Sequence, residues 1–317
     1  MSISIGSPLL DDELTTTADW VECAALIDKK KCYSLRDLNK TLKQTGSVDA
    51  IDFRPPNASP EVGEEMMIEG CVDSVERELQ RRFRECGGAD NYPFIIENSV
   101  LEVSKDPSKY TYTFMLLLSY LVQKGHKVVR WDINPRERFE HISGLAIQNY
   151  LGGEERNAAY AVFGFPRRVM PSNFCQAVTE LCKRMGEGKA SNESPEDHRK
   201  KDARLDVVAW RNFHDKRPGK LITFAQCATG RNWIDKAGEL PQPHKWCGRY
   251  LKELPLVDPV RAFCVPHRIN DHYRRRDAAL DGDLLLERCR IAGLAGKTAD
   301  DEVVGWVSKV LGELDKR

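Results

Sequence analysis

Asp206 and Gln226 are polar residues that interrupt two apolar segments of the sequence. These segments, 205–210 (LDVVAW) and 221–227 (LITFAQC), flank a polar turn around Lys216, a pattern typical of a β-hairpin. With that turn at its centre, the hairpin sets Asp206 opposite Gln226, where Cβ atoms are about 4.5–5.5 Å apart. A carboxylate and an amide oxygen so placed are suited to a hard cation such as Mg²⁺. The alternative is that Asp206 bonds to the backbone and Gln226 to its neighbours.

The elements that must position this pair follow from hydrophobic periodicity and from helix start and stop signals. After residue 136 the order is helix, strand, strand, strand, helix, strand, with one further helix inserted and two helices in the tail. The predicted ranges are helix 137–150, strand 158–165, helix 173–185, polar insertion 186–201, the hairpin, helix 232–240, strand 261–266, and tail helices 277–292 and 300–315. The pattern favours an α/β domain with a mixed sheet.

The first 130 residues are predicted to be mainly helical. Their apolar spacing predicts two short helices within 18–45, a long helix over 61–86 and a buried helix over 110–124, with a loop at 46–60. A chain of 317 residues is long enough for two domains, so we expect a helical region over 1–130 and an α/β domain over 131–317.

The charge of the chain is unevenly distributed, although the formal net charge is +0. Residues 1–78 hold 8 basic and 16 acidic residues, whereas residues 199–276 hold 18 basic and 8 acidic residues. A basic second half is typical of proteins that bind a polyanion, and uneven but solvated surface charge is the alternative. The acidic front is expected to contact a partner protein, a second copy of the chain or the basic face itself.

The order of these motifs resembles the PD-(D/E)XK nuclease superfamily, particularly its Mrr-like restriction endonuclease branch. LDVVAW is similar to that family's Gly-Ile-Asp-Val-like strand, and LITFAQC is similar to its strand ending in Gln-x-Lys or Glu-x-Lys. Phe139-Glu140 occupies the place of a Phe-Glu pair on an upstream helix. The resemblance covers residues 136–267 and implies the αβββαβ core of the superfamily.

The resemblance implies a role for each matching residue. Asp206 corresponds to the metal-binding aspartate, Gln226 to the Glu or Gln of the next strand, and Glu140 to a helix acid that supports the metal or orients water. Asp202 is an alternate acid just before the strand. The implied cofactor is Mg²⁺, with Mn²⁺ as a substitute, bound by Asp206 and Gln226.

The sequence departs from the family at the lysine that follows Gln226 by two residues, because that position is Ala228. Some branches of the superfamily carry this lysine on the following helix, where Lys236 is the first candidate here and Arg231 the second. The lysine's role in such chemistry is to stabilise charge on the phosphorane oxygens or to position the water. The missing lysine beside Gln226 favours the alternative of a noncatalytic subunit with the same fold, unless Lys236 or Arg231 reaches the site.

The implied function is a Mg²⁺-dependent endonuclease that hydrolyses DNA phosphodiester bonds, in restriction or anti-phage defence. The alternatives are a noncatalytic DNA-binding or assembly subunit of a defence complex, and an effector that a partner subunit releases. Phosphate contacts give affinity without sequence information. The candidate phosphate-binding residues are Arg199, Lys200, Lys201, Arg217, Lys220, Arg274, Arg275 and Arg276.

Competing chemistries are weaker. His244-x-x-Cys247 and Cys264-x-x-His267 have zinc-like spacing, but Cys264 lies in an apolar strand, which favours packing. Cys227 has no nearby His in the sequence to activate it as a nucleophile. The absence of a GxxxxGK[ST] motif argues against ATP or GTP hydrolysis.

The expected compartment is the cytoplasm. The N-terminal residues lack the basic and apolar regions of a signal peptide, and the longest apolar run, 114–122, is too short to span a bilayer. The 10 cysteines are therefore expected to remain reduced.

Overall fold

The computed structural model describes residues 5–8, 13–45, 60–126, 133–191 and 200–314, which fall into two units. The first unit takes the described residues of Met1–Ile133 and Gly296–Arg317, and the second is Asn134–Ala295. The protein is therefore of the mixed α/β class that the sequence predicted. Within the described residues, no helix has the length and apolar character needed to cross a membrane.

The first unit combines helices with a small antiparallel sheet of strand order β1-β3-β2. The predicted helices are confirmed, and most of the predicted loop at 46–60 lies outside the described residues. The elements are α1 (Leu14–Ile27), β1 (Cys32–Ser34), α2 (Leu35–Thr45), α3 (Pro60–Glu85), β2 (Phe94–Glu97), β3 (Val100–Val103), α4 (Thr111–Gln123) and α10 (Asp301–Leu314).

Helix α10 belongs to the first unit, although the sequence predicts one α/β domain over all of 131–317. The physical reason is a shared apolar core. Trp306 of α10 is buried, and its ring meets the buried ring of Phe114 of α4 edge-on, with 5.2 Å between the ring centroids. An apolar stripe in the sequence shows that a helix is buried, but it does not show which neighbour covers it.

The second unit is built on a five-stranded mixed sheet of order β10-β9-β7-β6-β4. Neighbouring strands β4, β6 and β7 are antiparallel, whereas β9 is parallel to both β7 and β10. Its elements are α5 (Pro135–Tyr150), β4 (Ala158–Val162), α6 (Phe174–Met185), β5 (Lys189–Ala190), β6 (Val207–Arg211), β7 (Leu221–Cys227), α7 (Pro243–Tyr250), β8 (Leu251–Glu253), β9 (Val260–Cys264), α8 (His272–Gly282), β10 (Leu284–Leu286) and α9 (Arg288–Ala295).

Helices cover both faces of this sheet. Helix α5 packs on β4, β6 and β7. On the opposite face, Val208 and Phe224 lie in one core with Phe174 of α6 and Trp246 of α7. The register of the β6–β7 hairpin is the predicted one, since Val208 pairs with Phe224 and Val207 with Ala225. The apolar alternation of both strands, with one face toward each helical layer, fixes that register.

Two predicted helices are wrong. In place of helix 277–292, α8 ends at Gly282, Asp283 takes a positive φ of 61°, and Leu284–Leu286 forms a fifth strand beside β9. In place of helix 232–240 there is a 3-10 turn over Ile234–Lys236, after which Ala237 has a non-helical ψ of 127° and Gly238 adopts a φ of 82°. The α-helix before β9 is α7 instead, with Pro243 in its first turn.

Candidate functional site

Asp206 is the residue immediately before β6, and two chain segments, β7 and the residues after β4, fix its position. Its N–H donates to the Ala225 carbonyl at 3.0 Å, and its own carbonyl accepts from the N–H groups of Phe163 (2.7 Å) and Gly164 (2.9 Å). The Cys227 N–H donates to its Oδ2 at 2.7 Å. Among the described residues, only Oδ2 of this carboxylate has a hydrogen-bond partner, so Oδ1 is available to a ligand.

Glu140 is a second acid close to Asp206, and Gly164 lies between the two. Glu140 lies on α5, one residue after the fully buried Phe139, and its carboxylate packs against Gly164. A Cβ atom at Gly164 would lie 2.8 Å from the Glu140 Cδ atom, so any larger residue would displace the carboxylate. Because Gly164 also donates to the Asp206 carbonyl, Glu140 and Asp206 are neighbours.

The pKa values of both acids report their surroundings. Burial raises the pKa of Asp206 to about 7; the Cys227 N–H lowers it, Asp202 raises it, and Lys236 and Arg204 lower it. Burial also raises the pKa of Glu140 well above its usual range, and Asp206, Asp202 and Glu137 raise it further. Acids whose pKa is raised by burial and by like charges are typical of functional sites.

The structure places Gln226 differently from the expected metal ligand. Its Oε1 accepts the Leu240 N–H at 3.1 Å, and its Nε2 donates to the Glu239 Oε2 at 3.3 Å. The side chain is buried, at 5% exposure. This is the arrangement of the alternative interpretation, in which neighbouring groups satisfy Gln226.

The physical reason is local. Although the register sets Asp206 opposite Gln226, the regular pairing ends at Val207, and the Asp206 N–H bonds to Ala225. The buried Leu240 N–H requires an acceptor, and the Gln226 amide supplies it. Gln226 thereby holds the segment that carries Lys236.

Lys236 ends the 3-10 turn Ile234–Lys236 and is half-buried. Its ammonium is close enough to Asp206 to lower the pKa of that carboxyl. Arg231, the second candidate for the lysine's role, is exposed nearer the start of the same segment. Ala228, where the family carries its lysine, is buried in an apolar cluster with Trp233 and Phe263, a position that would penalise a charge.

Glu239 and Arg204 are site residues that sequence reasoning missed. Arg204 Nη1 lies 3.2 Å from Glu239 Oε2, so this ion pair joins the segment before β6 to the Lys236 segment. Gly164 was also missed. Two aromatic residues flank it in the sequence, but nothing there shows that an acid will pack against its Cα.

The candidate phosphate-binding residues fall into different environments. Lys220 is not available, because it is buried and its Nζ donates to the Met185 carbonyl at 2.6 Å and to Asn212 Oδ1 at 2.8 Å. The Lys200 Nζ lies over the Tyr250 ring, 4.7 Å from its centroid. Arg199 lies outside the described residues. The exposed members of the set are Lys201, Arg217, Arg274 and Arg276, and Arg275 is half-buried.

The competing chemistries receive no support from the described residues. Cys247 lies in the core beneath the sheet, while His267 Nε2 is 3.1 Å from the Gly230 carbonyl oxygen. The zinc-like halves therefore face different surroundings. Burial raises the pKa of the Cys227 thiol well above its usual value, with Cys264, Asp206 and Glu140 adding to the effect, so the thiol is protonated.

Comparisons with known proteins return no match to a protein-family model, to a curated protein or to a solved structure. The protein is therefore described by its structural class. It is a mixed α/β protein with an acidic site at the strand ends of its larger sheet.

Proposed function

We propose that the second unit is a metal-dependent nuclease that hydrolyses DNA phosphodiester bonds. The observation that carries the proposal is the pairing of Asp206, at a strand entrance, with Glu140, on a distant helix, through Gly164. Lys236, on a 3-10 turn, is near enough to lower the pKa of Asp206. The sequence resemblance implies a chemical role for each of these three residues. The antiparallel β4-β6-β7 set with a parallel β9 agrees with the implied αβββαβ order.

The donor set fits Mg²⁺ or Mn²⁺, which prefer carboxylate oxygens. Asp206 offers Oδ1, and Glu140 offers a carboxylate with a raised pKa, so binding of a cation would favour the ionised form of both. Gln226 does not contribute, since its oxygen accepts from Leu240. A bound Mg²⁺ supplies Lewis-acid chemistry and lowers the pKa of a coordinated water.

The remaining roles belong to the chain. Asp206, held by Cys227 and Ala225, fixes the geometry of the acid pair. Glu140, whose carboxylate lies against Gly164 beside Asp206, would support the metal or orient the water. The Lys236 ammonium, which acts on Asp206 from the 3-10 turn, would stabilise negative charge on the phosphate in the transition state. The proposed setting is restriction or anti-phage defence, which the family resemblance implies, and the proposed compartment is the cytoplasm.

A second candidate is a noncatalytic DNA-binding or assembly subunit with the same fold. Two observations favour it: Ala228 replaces the family's lysine, and Gln226 turns its oxygen away from the acid pair. In that case the acidic first unit would contact a partner protein or a second copy of the chain.

The deciding experiment is cleavage of plasmid and of single-stranded DNA with Mg²⁺ or Mn²⁺ by the full chain. We expect cutting by the wild type, with Asp206→Ala and Lys236→Ala each reducing the rate by about 10²-fold or more. Lys245→Ala is the matched control, because this exposed lysine lies on α7, outside the acid pair.

Two other outcomes would contradict this proposal. Cutting that survives Asp206→Ala would reject this active site. DNA binding without cutting under any condition would favour the noncatalytic subunit.

A further inference from the structure

The loop that follows β4 carries an exposed aromatic residue directly beside the acid pair. We propose that Phe165, flanked by Arg167 and Lys201, stacks on an unpaired base next to the scissile phosphate, so that the substrate is single-stranded DNA at this point. The inference rests on the proposed nuclease function and adds the class of substrate to it.

The position of Phe165 follows from its neighbour. Gly164 donates its N–H to the Asp206 carbonyl at 2.9 Å and packs against the Glu140 carboxylate. Phe165 follows Gly164 directly, and successive Cα atoms are about 3.8 Å apart. The Phe165 backbone is therefore one Cα–Cα step from the residue that contacts both acids. A base on this ring would therefore belong to a nucleotide at or beside the reacting phosphate.

Arg167 holds the loop in place. Its guanidinium donates to the Ser172 carbonyl at 3.1 Å and to the Lys201 carbonyl, which ties the loop to the segment leading into Asp206. The same guanidinium lies 4.5 Å from the ring centroid of Phe163, which is fully buried against Phe174. The loop is thus anchored on both sides of Phe165.

The Phe165 ring itself remains available. It is 44% exposed, and the Arg167 Cζ and the Lys201 Nζ each lie 5.9 Å from its centroid. An open aromatic face with two cations at its margin offers stacking to a base and charge to the adjoining phosphates. In a duplex both faces of each base are already stacked, so this platform selects an unpaired strand.

The test is fluorescence anisotropy with a labelled single-stranded oligonucleotide and its duplex, with Ca²⁺ in place of Mg²⁺ to hold the site without turnover. We expect tighter binding of the single strand, and a loss of roughly 5- to 100-fold for Phe165→Ala on that strand alone. Phe165→Tyr retains the ring and should retain the affinity. Phe213→Ala is the matched control, because Phe213 is 58% exposed in the β6–β7 turn, at the opposite end of the hairpin from Asp206.

The inference would be overturned if Phe165→Ala bound the single strand like the wild type, if it weakened both probes equally, or if the wild type bound neither probe. Parallel cleavage assays with Mg²⁺ separate the two proposals. If Phe165→Ala cleaves DNA like the wild type, the nuclease proposal is retained and the stacking platform is rejected. Phe165-dependent binding without any cutting retains the platform and rejects the nuclease.

Discussion

Each unit of the protein buries a cluster of acids, and the two clusters are satisfied in opposite ways. In the first unit, the fully buried Arg82 donates to Asp19 at 2.7 Å, to Glu22 at 2.8 Å and to Glu78 at 3.0 Å. Tyr112 adds a hydrogen bond to Glu22 at 2.9 Å. These acids have a cation at hydrogen-bond distance.

The acid pair of the second unit has no such partner. Among the described residues, no Lys or Arg nitrogen lies within ion-pair distance of Asp206 or Glu140, and the pKa of both is raised by burial first of all. Lys236 and Arg204 lower the pKa of Asp206 by their charge, without forming an ion pair with it. A buried acid cluster with its own cation serves folding, whereas one without it is available to a cation from solution.

Arg82→Leu tests the first half of this comparison and should have the largest effect. Removing the guanidinium leaves Asp19, Glu22 and Glu78 buried without their cation, so we expect a loss of about 3–5 kcal/mol in the free energy of unfolding. Urea denaturation of the full chain measures it. Arg84→Leu, an exposed position on the same helix, is the control and should change stability by about 0.5 kcal/mol or less. Equal effects of the two variants would show that the cluster is not ionic in solution.

Asp206→Asn tests the second half of the comparison and should raise the stability of the protein, whereas Arg82→Leu should lower it. The ordinary pKa of this carboxyl is 3.8 and the folded pKa is about 7, so ionised Asp206 opposes folding above pH 7 and this cost disappears as the pH falls toward 4. In EDTA at pH 8, Asp206→Asn should be more stable than the wild type by about 1–3 kcal/mol. The advantage should shrink between pH 7 and pH 4 and be absent below that.

The charged groups that set this dependence are Asp202, which raises the pKa of Asp206, and Lys236 and Arg204, which lower it. Urea titrations at several pH values provide the measurement. Added Mg²⁺ should reverse the order of stability at pH 8, because only the wild type keeps both carboxylates. A pH-independent difference would contradict the assignment.

Gln226→Leu sharpens the distinction between positioning and ligation. The change leaves the Leu240 N–H without its acceptor, so we expect a loss of about 1–2 kcal/mol and slower cleavage through displacement of the Lys236 segment. The Mg²⁺ dissociation constant, measured by calorimetry, should be unchanged. Weaker Mg²⁺ binding in this variant would restore Gln226 as a ligand.

Cys227→Ser should have the smallest effect. The thiol beside the acids is held protonated, so it is not a nucleophile, and its backbone N–H still donates to Asp206 in the variant. We expect a stability change within about 1 kcal/mol and unchanged cleavage. A large loss of cleavage would identify covalent chemistry at Cys227.

Much of the second unit was predictable because its signals are local. The apolar alternation around Asp206 and Gln226 gave the correct hairpin register, and the apolar spacing around Phe139 gave α5. The helix predicted over 277–292 failed because its leucines at 284–286 fit either a helix or a buried strand, and pairing with β9 decides between them.

By itself, the sequence determined strands β4, β6, β7 and β9, most helices, the hairpin register and the residue types able to bind a cation or stabilise a phosphate, since each depends on neighbours within a few positions. Only the tertiary structure decided which of those residues meet. It packed Glu140 against Gly164 beside Asp206, turned Gln226 toward Leu240 and brought Lys236 near the acids. These contacts depend on how distant elements pack and on which buried polar group needs a partner. Neither can be predicted from the local hydrophobic periodicity of the sequence.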